Sequence, residues 1–172
     1  KSSLILLFVL LSGVLSYNRQ AAVNYAHAHW NKPNHSCSKS YLSCSPYSYF
    51  GGEACGYPSH GGDCANFVSQ CLLAGGHSKL KGGDCRGYPC GVEEVGARSL
   101  GTCLRNHFGW QRTCNYLQKP PSNIRAGDVL VYHSGGCGSS SAHAVLVVSA
   151  GNGKATISCH SNAKYGVSYT YM

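Results

Sequence analysis

The sequence predicts an α+β domain in which N-terminal helices pack on a C-terminal antiparallel sheet, and three observations carry that reading. Two stretches in the first half repeat apolar residues at helical spacing. After Pro120-Pro121 the chain changes to four short runs rich in β-branched and aromatic residues. Between two of those runs, Ala150-Gly151-Asn152-Gly153 is a hairpin signal. Helices first and a meandering sheet second share one core, and 172 residues without an internal repeat suit one domain.

The chain opens on Lys1, an apolar run over 4–11, and small residues at Gly13 and Ser16. This is the order of a secretory leader, so residues 1–16 are expected to be removed and 17–172 to form the mature, extracellular domain. The apolar run is shorter than the about 20 residues a membrane span needs, and no other stretch qualifies, so no integral membrane segment is expected after cleavage. Residues 17–30 carry Ala21, Ala22, Val23, Tyr25, Ala26 and Trp30 in an amphipathic helical pattern ending before Pro33. Residues 31–60 have no sustained periodicity and read as loop.

A second helix begins at Cys64. Gly61-Gly62 allows a sharp turn, Asp63 is a good N-cap, and Phe67, Val68, Cys71 and Leu72 follow at helical spacing until Gly75-Gly76. Residues 77–119 read as a Gly- and Cys-rich insertion that covers or shapes one side of the site, with one helical piece around 92–108. The expected strands are 128–133, 143–149, 155–159 and 167–171.

Fourteen Lys and Arg against six Asp and Glu leave a formal net charge of +8, which favours anionic surfaces such as bacterial cell walls. The basic residues are scattered and no nucleic-acid-binding motif is present, so nucleic acid is not expected as a partner. Eleven cysteines behind a secretory leader predict a disulfide-rich domain. Eleven is odd, so one sulfur lacks an intrachain mate, and Cys64 is the natural choice, with the other ten, Cys71 and Cys159 among them, forming five bridges. A Cys64–Cys71 bridge is excluded, because seven residues along a helix separate Cα atoms by about 10 Å.

A cysteine at a helix start is placed to ionise, because unpaired N–H groups of the first turn favour negative charge. Such a nucleophile needs a base and a third group to orient the base. The hairpin supplies both. With Gly151-Asn152 as loop residues, His143 faces His160; with Asn152-Gly153, it faces Asn162. Cys64 as nucleophile, His143 as base, and His160 or Asn162 as third member describe a cysteine hydrolase that requires no metal and no cofactor. The Cys64 backbone N–H would help hold the oxyanion, an interaction worth about 3 kcal/mol in other hydrolases. A zinc site at Cys64, His143 and His160 lacks the usual short ligand spacing.

At these residues the chain resembles the putative amidase domain family of bacteria, a branch of the NlpC and papain-like cell-wall hydrolases. The likeness rests on residues 17–26 (YNRQAAVNYA), on 62–70 (GDCANFVSQ), on Ala126-Gly127-Asp128, on His143 before Ala144-Val145-Leu146-Val147, and on His160-Ser161-Asn162. The resemblance implies a papain-like fold of NlpC type, with Cys64, His143 and His160 as the catalytic set and peptidoglycan amide bonds as the substrate class. It further implies a tyrosine near the oxyanion, for which Tyr47 and Tyr49 are the candidates, beside Asp63. The dense cysteines and the 77–119 insertion depart from the bacterial pattern.

The sequence thus predicts a secreted, monomeric, cysteine-dependent amidase or endopeptidase acting on peptidoglycan or a similar amide. Two other uses of the scaffold are an acyltransferase with the same site, and a non-catalytic cell-wall-binding or toxin-like protein in which Cys64 is structural.

Overall fold

The computed structural model describes residues 17–31, 64–77, 97–108, 110, 120–133, 142–160 and 163–171. Asp63, Tyr47, Tyr49 and Asn162, the leader 1–16 and most of the cysteines expected in bridges lie outside the described residues. Among those described, helices α1 (Arg19–His29), α2 (Cys64–Ala74) and α3 (Ala97–Phe108) precede strands β1 (Val129–His133), β2 (Ala142–Gly151), β3 (Lys154–Cys159) and β4 (Lys164–Ser168), followed by a 3₁₀ turn at Tyr169–Tyr171. The strands pair antiparallel in the order β1-β2-β3-β4, which is the expected α+β meander. No helix among the described residues is long and apolar enough to cross a membrane.

Helix α1 starts where its first free amides find an acceptor: the Asn18 side chain takes the Ala21 N–H at 3.0 Å. Ala22, Val23 and Ala26 form its buried stripe. Its N-terminal end is clamped to the lead of β1. The Arg19 guanidinium pairs with Asp128 and reaches the Ala126 carbonyl at 3.2 Å, while the Tyr17 hydroxyl donates to the Gly127 carbonyl at 2.8 Å. This contact requires glycine at 127. Its φ is +86°, and a Cβ there would stand 2.8 Å from Arg19 Cβ.

Helix α2 is buried along every residue from Cys64 to Leu72, not only on its apolar stripe. It lies between α1 and the sheet, with α3 beside it, and its C-terminal end closes through Gly76 N–H to Leu73 and His77 N–H to Leu72, both 2.9 Å. Helix α3, the described helix of the 77–119 stretch, contributes to the core as well as standing beside α2. Ala97, Leu100, Cys103 and Leu104 recur at helical spacing and sit in the same buried cluster as α1, α2 and the β2 residues Ala144, Leu146 and Val148. Leu100 is fully buried there. The opposite face of the sheet buries Val145, Val147, Ala155, Ile157, Cys159 and Tyr169 in a second cluster. Alternation along β2 thus feeds two cores.

The β2–β3 turn uses Asn152 and Gly153, with φ of 52° and 71°, which is the left-handed pair a type I′ hairpin demands. Yet neither expected facing of His143 holds. Ala150 pairs with Ala155, but a bulge between Val147 and Ser149 inserts one residue on β2, so that Leu146 pairs with Ser158. Counted onward, His160 comes opposite Ala144, one place away from His143, and the count from His143 no longer reaches Asn162. A second irregularity on β4 places Gly166, at φ +69°, between the residues paired with Ile157 and Ser158. That bulge breaks the two-residue period, which explains why β4 begins at Lys164 although the expected strand was 167–171.

Cys71 and Cys159 also depart from expectation: both carry reduced thiols and are fully buried. Cys71 belongs to the cluster shared by α1, α2 and α3, and Cys159 to the cluster on the other face of the sheet, each as a small apolar residue. The odd cysteine count therefore does not by itself single out Cys64, which is likewise a reduced thiol.

If α3 is core, Leu100→Ala lowers the unfolding free energy by about 2–5 kcal/mol in urea titrations. A change below 0.5 kcal/mol, to be expected on the order of a surface substitution, would return α3 to the role of a cover.

Candidate active site

Cys64 is the first residue of α2 and is 6% exposed. Its thiol and that of Cys71 ride on one helix, Cys64 at its first residue and Cys71 in its interior, both buried. Burial pushes the Cys71 thiol well above the ordinary cysteine range, which keeps it protonated and inert. Cys64 instead sits in the first turn, where the helix macrodipole favours a thiolate.

Two candidate histidines belong to the sheet region, and His160 contacts α2. His143 is the second residue of β2 and pairs with Tyr132 of β1. By the alternation of the strand it shares a face with Tyr132 and Val145, while its neighbour Ala144 lies in the buried cluster that contains Cys64. His160 follows the last residue of β3 and is 4% exposed. Its ring stacks on Phe67, with centroids 3.9 Å apart and planes 16° from parallel. Phe67 stands three residues after Cys64, so it and the thiol occupy neighbouring positions on one helix face. His160 Nε2 lies 3.0 Å from the main-chain carbonyl oxygen of His29, the last residue of α1. The packing therefore brings His160 against the first turn of α2 and the C-terminal end of α1.

Several participants escaped the sequence reading. Asn66, Ser69 and Gln70 are buried polar residues on α2, and burial without partners is costly. Gln70 answers most of this cost. Its Nε2 donates to Asn66 Oδ1 and its Oε1 accepts from the Tyr25 hydroxyl of α1 at 2.8 Å. Tyr25 in turn stacks on His29, centroids 4.3 Å apart. Asn66 Nδ2 remains buried with no hydrogen bond. The available signal was spacing: Asn66 with Gln70, and Tyr25 with His29, are each four residues apart and hence neighbours on their helices.

Among the described residues, no group of three or more His, Cys, Asp or Glu is arranged to hold a metal ion. Chemically, the arrangement offers a thiol at a helix start, an aromatic-stacked imidazole one helical turn along, and a second imidazole at the start of β2.

A family model described as Putative amidase domain matches residues 16–172. No curated protein and no solved structure matches the chain.

The buried network makes a stability prediction. Gln70→Leu strands both the Tyr25 hydroxyl and the Asn66 amide and should cost about 1–3 kcal/mol, whereas Tyr25→Phe removes one hydrogen bond for about 1 kcal/mol. The double variant should lose less than the sum, as a urea-denaturation cycle will measure, because the two side chains share one network. Strict additivity would mean that they act independently.

Proposed function

Because the chain belongs to the Putative amidase domain family, we propose that it is a secreted, cysteine-dependent amide hydrolase of papain-like, NlpC-type architecture whose substrate is the peptide portion of bacterial peptidoglycan. The observation that carries the reading is the Cys64 thiol at the start of a buried helix whose first turn is packed against a histidine from the sheet. The leader-like segment 1–16 and the number of cysteines support secretion and a disulfide-stabilised mature domain. The positive charge supports attraction to an anionic wall.

In the proposed reaction, His143 is the base that takes the Cys64 thiol proton. The thiolate adds to the amide carbonyl carbon, and first-turn N–H groups of α2 hold the oxyanion. Collapse breaks the C–N bond as the His143 imidazolium gives its proton to the departing amine. A water, deprotonated by His143, then adds to the thioester and releases the carboxylate product and the thiol. His160 is the third member, and Asp63 with Tyr47 or Tyr49 would complete substrate positioning.

Mass analysis of fragments released from purified peptidoglycan tests this. Cys64→Ala should reduce release by about three orders of magnitude or more, as removal of a nucleophile does elsewhere, and His143→Ala should do nearly the same. Equal release by wild type and Cys64→Ala would sink the mechanism. Binding to peptidoglycan without release would favour the non-catalytic scaffold, and fragments joined to an added amine in place of water would favour acyl transfer.

A further inference from the structure

We propose that Asn66 is a substrate-positioning residue whose side-chain N–H donates to a carbonyl oxygen of the bound peptide other than that of the bond being cut; this rests on the hydrolase reading above and extends it to the path the peptide takes. Asn66 is the third residue of α2, two after Cys64, and is 1% exposed. Its Oδ1 accepts from Gln70 Nε2, yet its Nδ2 is buried with no hydrogen-bond partner among the described residues. A buried donor without an acceptor is costly, and native structures keep few of them.

The direction of this N–H follows from the chain of donors behind it. Tyr25 of α1 gives its hydroxyl hydrogen to Gln70 Oε1 at 2.8 Å, which leaves Gln70 Nε2 to face Asn66 and turns Asn66 Oδ1 toward Gln70. Turning over the Asn66 amide alone would set Nδ2 against Gln70 Nε2, donor against donor. Gln70 stands one turn farther into the helix, so Nδ2, on the other side of the same amide, is turned away from it and toward the start of α2. Main-chain N–H groups of the first turn lack intrahelical acceptors there. The start of α2 thus presents donors from backbone and side chain together, which suits an oxygen acceptor and repels an ammonium group.

Helix geometry decides which oxygen Asn66 takes. Two residues along an α-helix are about 200° of rotation, so the side chains of Cys64 and Asn66 leave α2 on nearly opposite sides. A carbonyl under attack by the Cys64 sulfur lies on the far side from Asn66, and first-turn main-chain N–H groups serve its oxygen. Asn66 is left to hold the carbonyl of a neighbouring residue. Its link through Gln70 to Tyr25 puts it on the α1 side, so the peptide crosses the start of α2 toward the C-terminal half of α1, where Tyr25 stacks on His29. Folding has already taken Nδ2 out of water and the Tyr25–Gln70 link holds its amide in place, so binding forfeits little hydration or freedom there.

Nitrogen-15 NMR of Cys64→Ala protein tests the contact, with a soluble muropeptide prepared from purified peptidoglycan as the probe and the Asn66 side-chain signals assigned through bonds from its own backbone amide. The Nδ2 protons should shift as the probe is added and level off at saturation. Shifts elsewhere with Asn66 unmoved, or Nδ2 protons that contact water and ignore the probe, overturn this proposal alone. A spectrum with no probe-dependent shift at all overturns the peptidoglycan reading and this inference with it. Asn66→Asp supplies the kinetic arm, since it keeps an acceptor for Gln70 and exchanges the donor for an acceptor at constant size. It should raise KM for fragment release by about tenfold or more while kcat stays within about threefold, with an unfolding midpoint close to wild type. An unchanged KM in the folded variant, or a fall in kcat alone, overturns the positioning role. The NMR arm leaves Asn66 in place and decides the contact even where Asn66→Asp impairs folding. Equal fragment release by wild type and Cys64→Ala would end the hydrolase reading, while the spectrum would still report whether Nδ2 meets the peptide.

Discussion

A helix buried on every side governs this fold. From Cys64 to Leu72, α2 has no solvent face, so whatever its sequence presents must be matched by α1, α3 or the sheet. Apolar positions meet apolar ones. Its polar residues cannot turn to water, and the Gln70 amide therefore binds Asn66 on one side and the Tyr25 hydroxyl of α1 on the other. The same enclosure sequesters Cys71 deep in the helix and leaves the helix start as the place where a thiol gains from the unpaired N–H groups of the first turn.

Helix α1 is tied down at both ends, and the two ties do different work. At its N-terminal end, Tyr17 and Arg19 grip the turn at Gly127 and Asp128 that leads into β1, and this sets the helix against the sheet. The turn is in register with the sheet, since Gly127 N–H donates to the Val147 carbonyl and Val147 N–H to the Asp128 carbonyl. At its C-terminal end the His29 carbonyl meets His160, which follows β3. One helix thus connects the sheet lead, the polar network of α2 and the buried histidine, and small shifts in its seating would be felt at all three.

Legibility varied with the range of the interaction that decides each feature. The start of α2 at Cys64 and its end near Gly75-Gly76 were readable, because a cap, a periodic stripe and a breaker are local. The α1 helix, the meander and a hairpin within residues 150–153 were readable for the same reason, whereas the choice of Asn152-Gly153 over Gly151-Asn152 as the loop pair came from the structure. The pairing of His143 was not. A single extra residue at Val148 shifts the count along β2, and a bulge leaves no mark in a run of Ala, Val and Leu. The weight of α3 in the core was obscured by the Gly- and Cys-rich context around it, although Ala97, Leu100 and Leu104 had the right spacing.

By itself, then, the chain determined its α+β class, the starts and stops of α1 and α2 to within two residues, the presence of its hairpin and the identity of Cys64, His143 and His160 as candidates, since each depends on propensities and spacings within a few residues. Tertiary structure alone decided that Cys71 and Cys159 stay reduced in the core, that His160 stacks on Phe67, and that its Nε2 meets a carbonyl 131 positions earlier in the chain. Those outcomes rest on which surfaces meet when helices close over a sheet. No window of sequence contains that information, because both partners of each contact are brought together only by burial of the shared core.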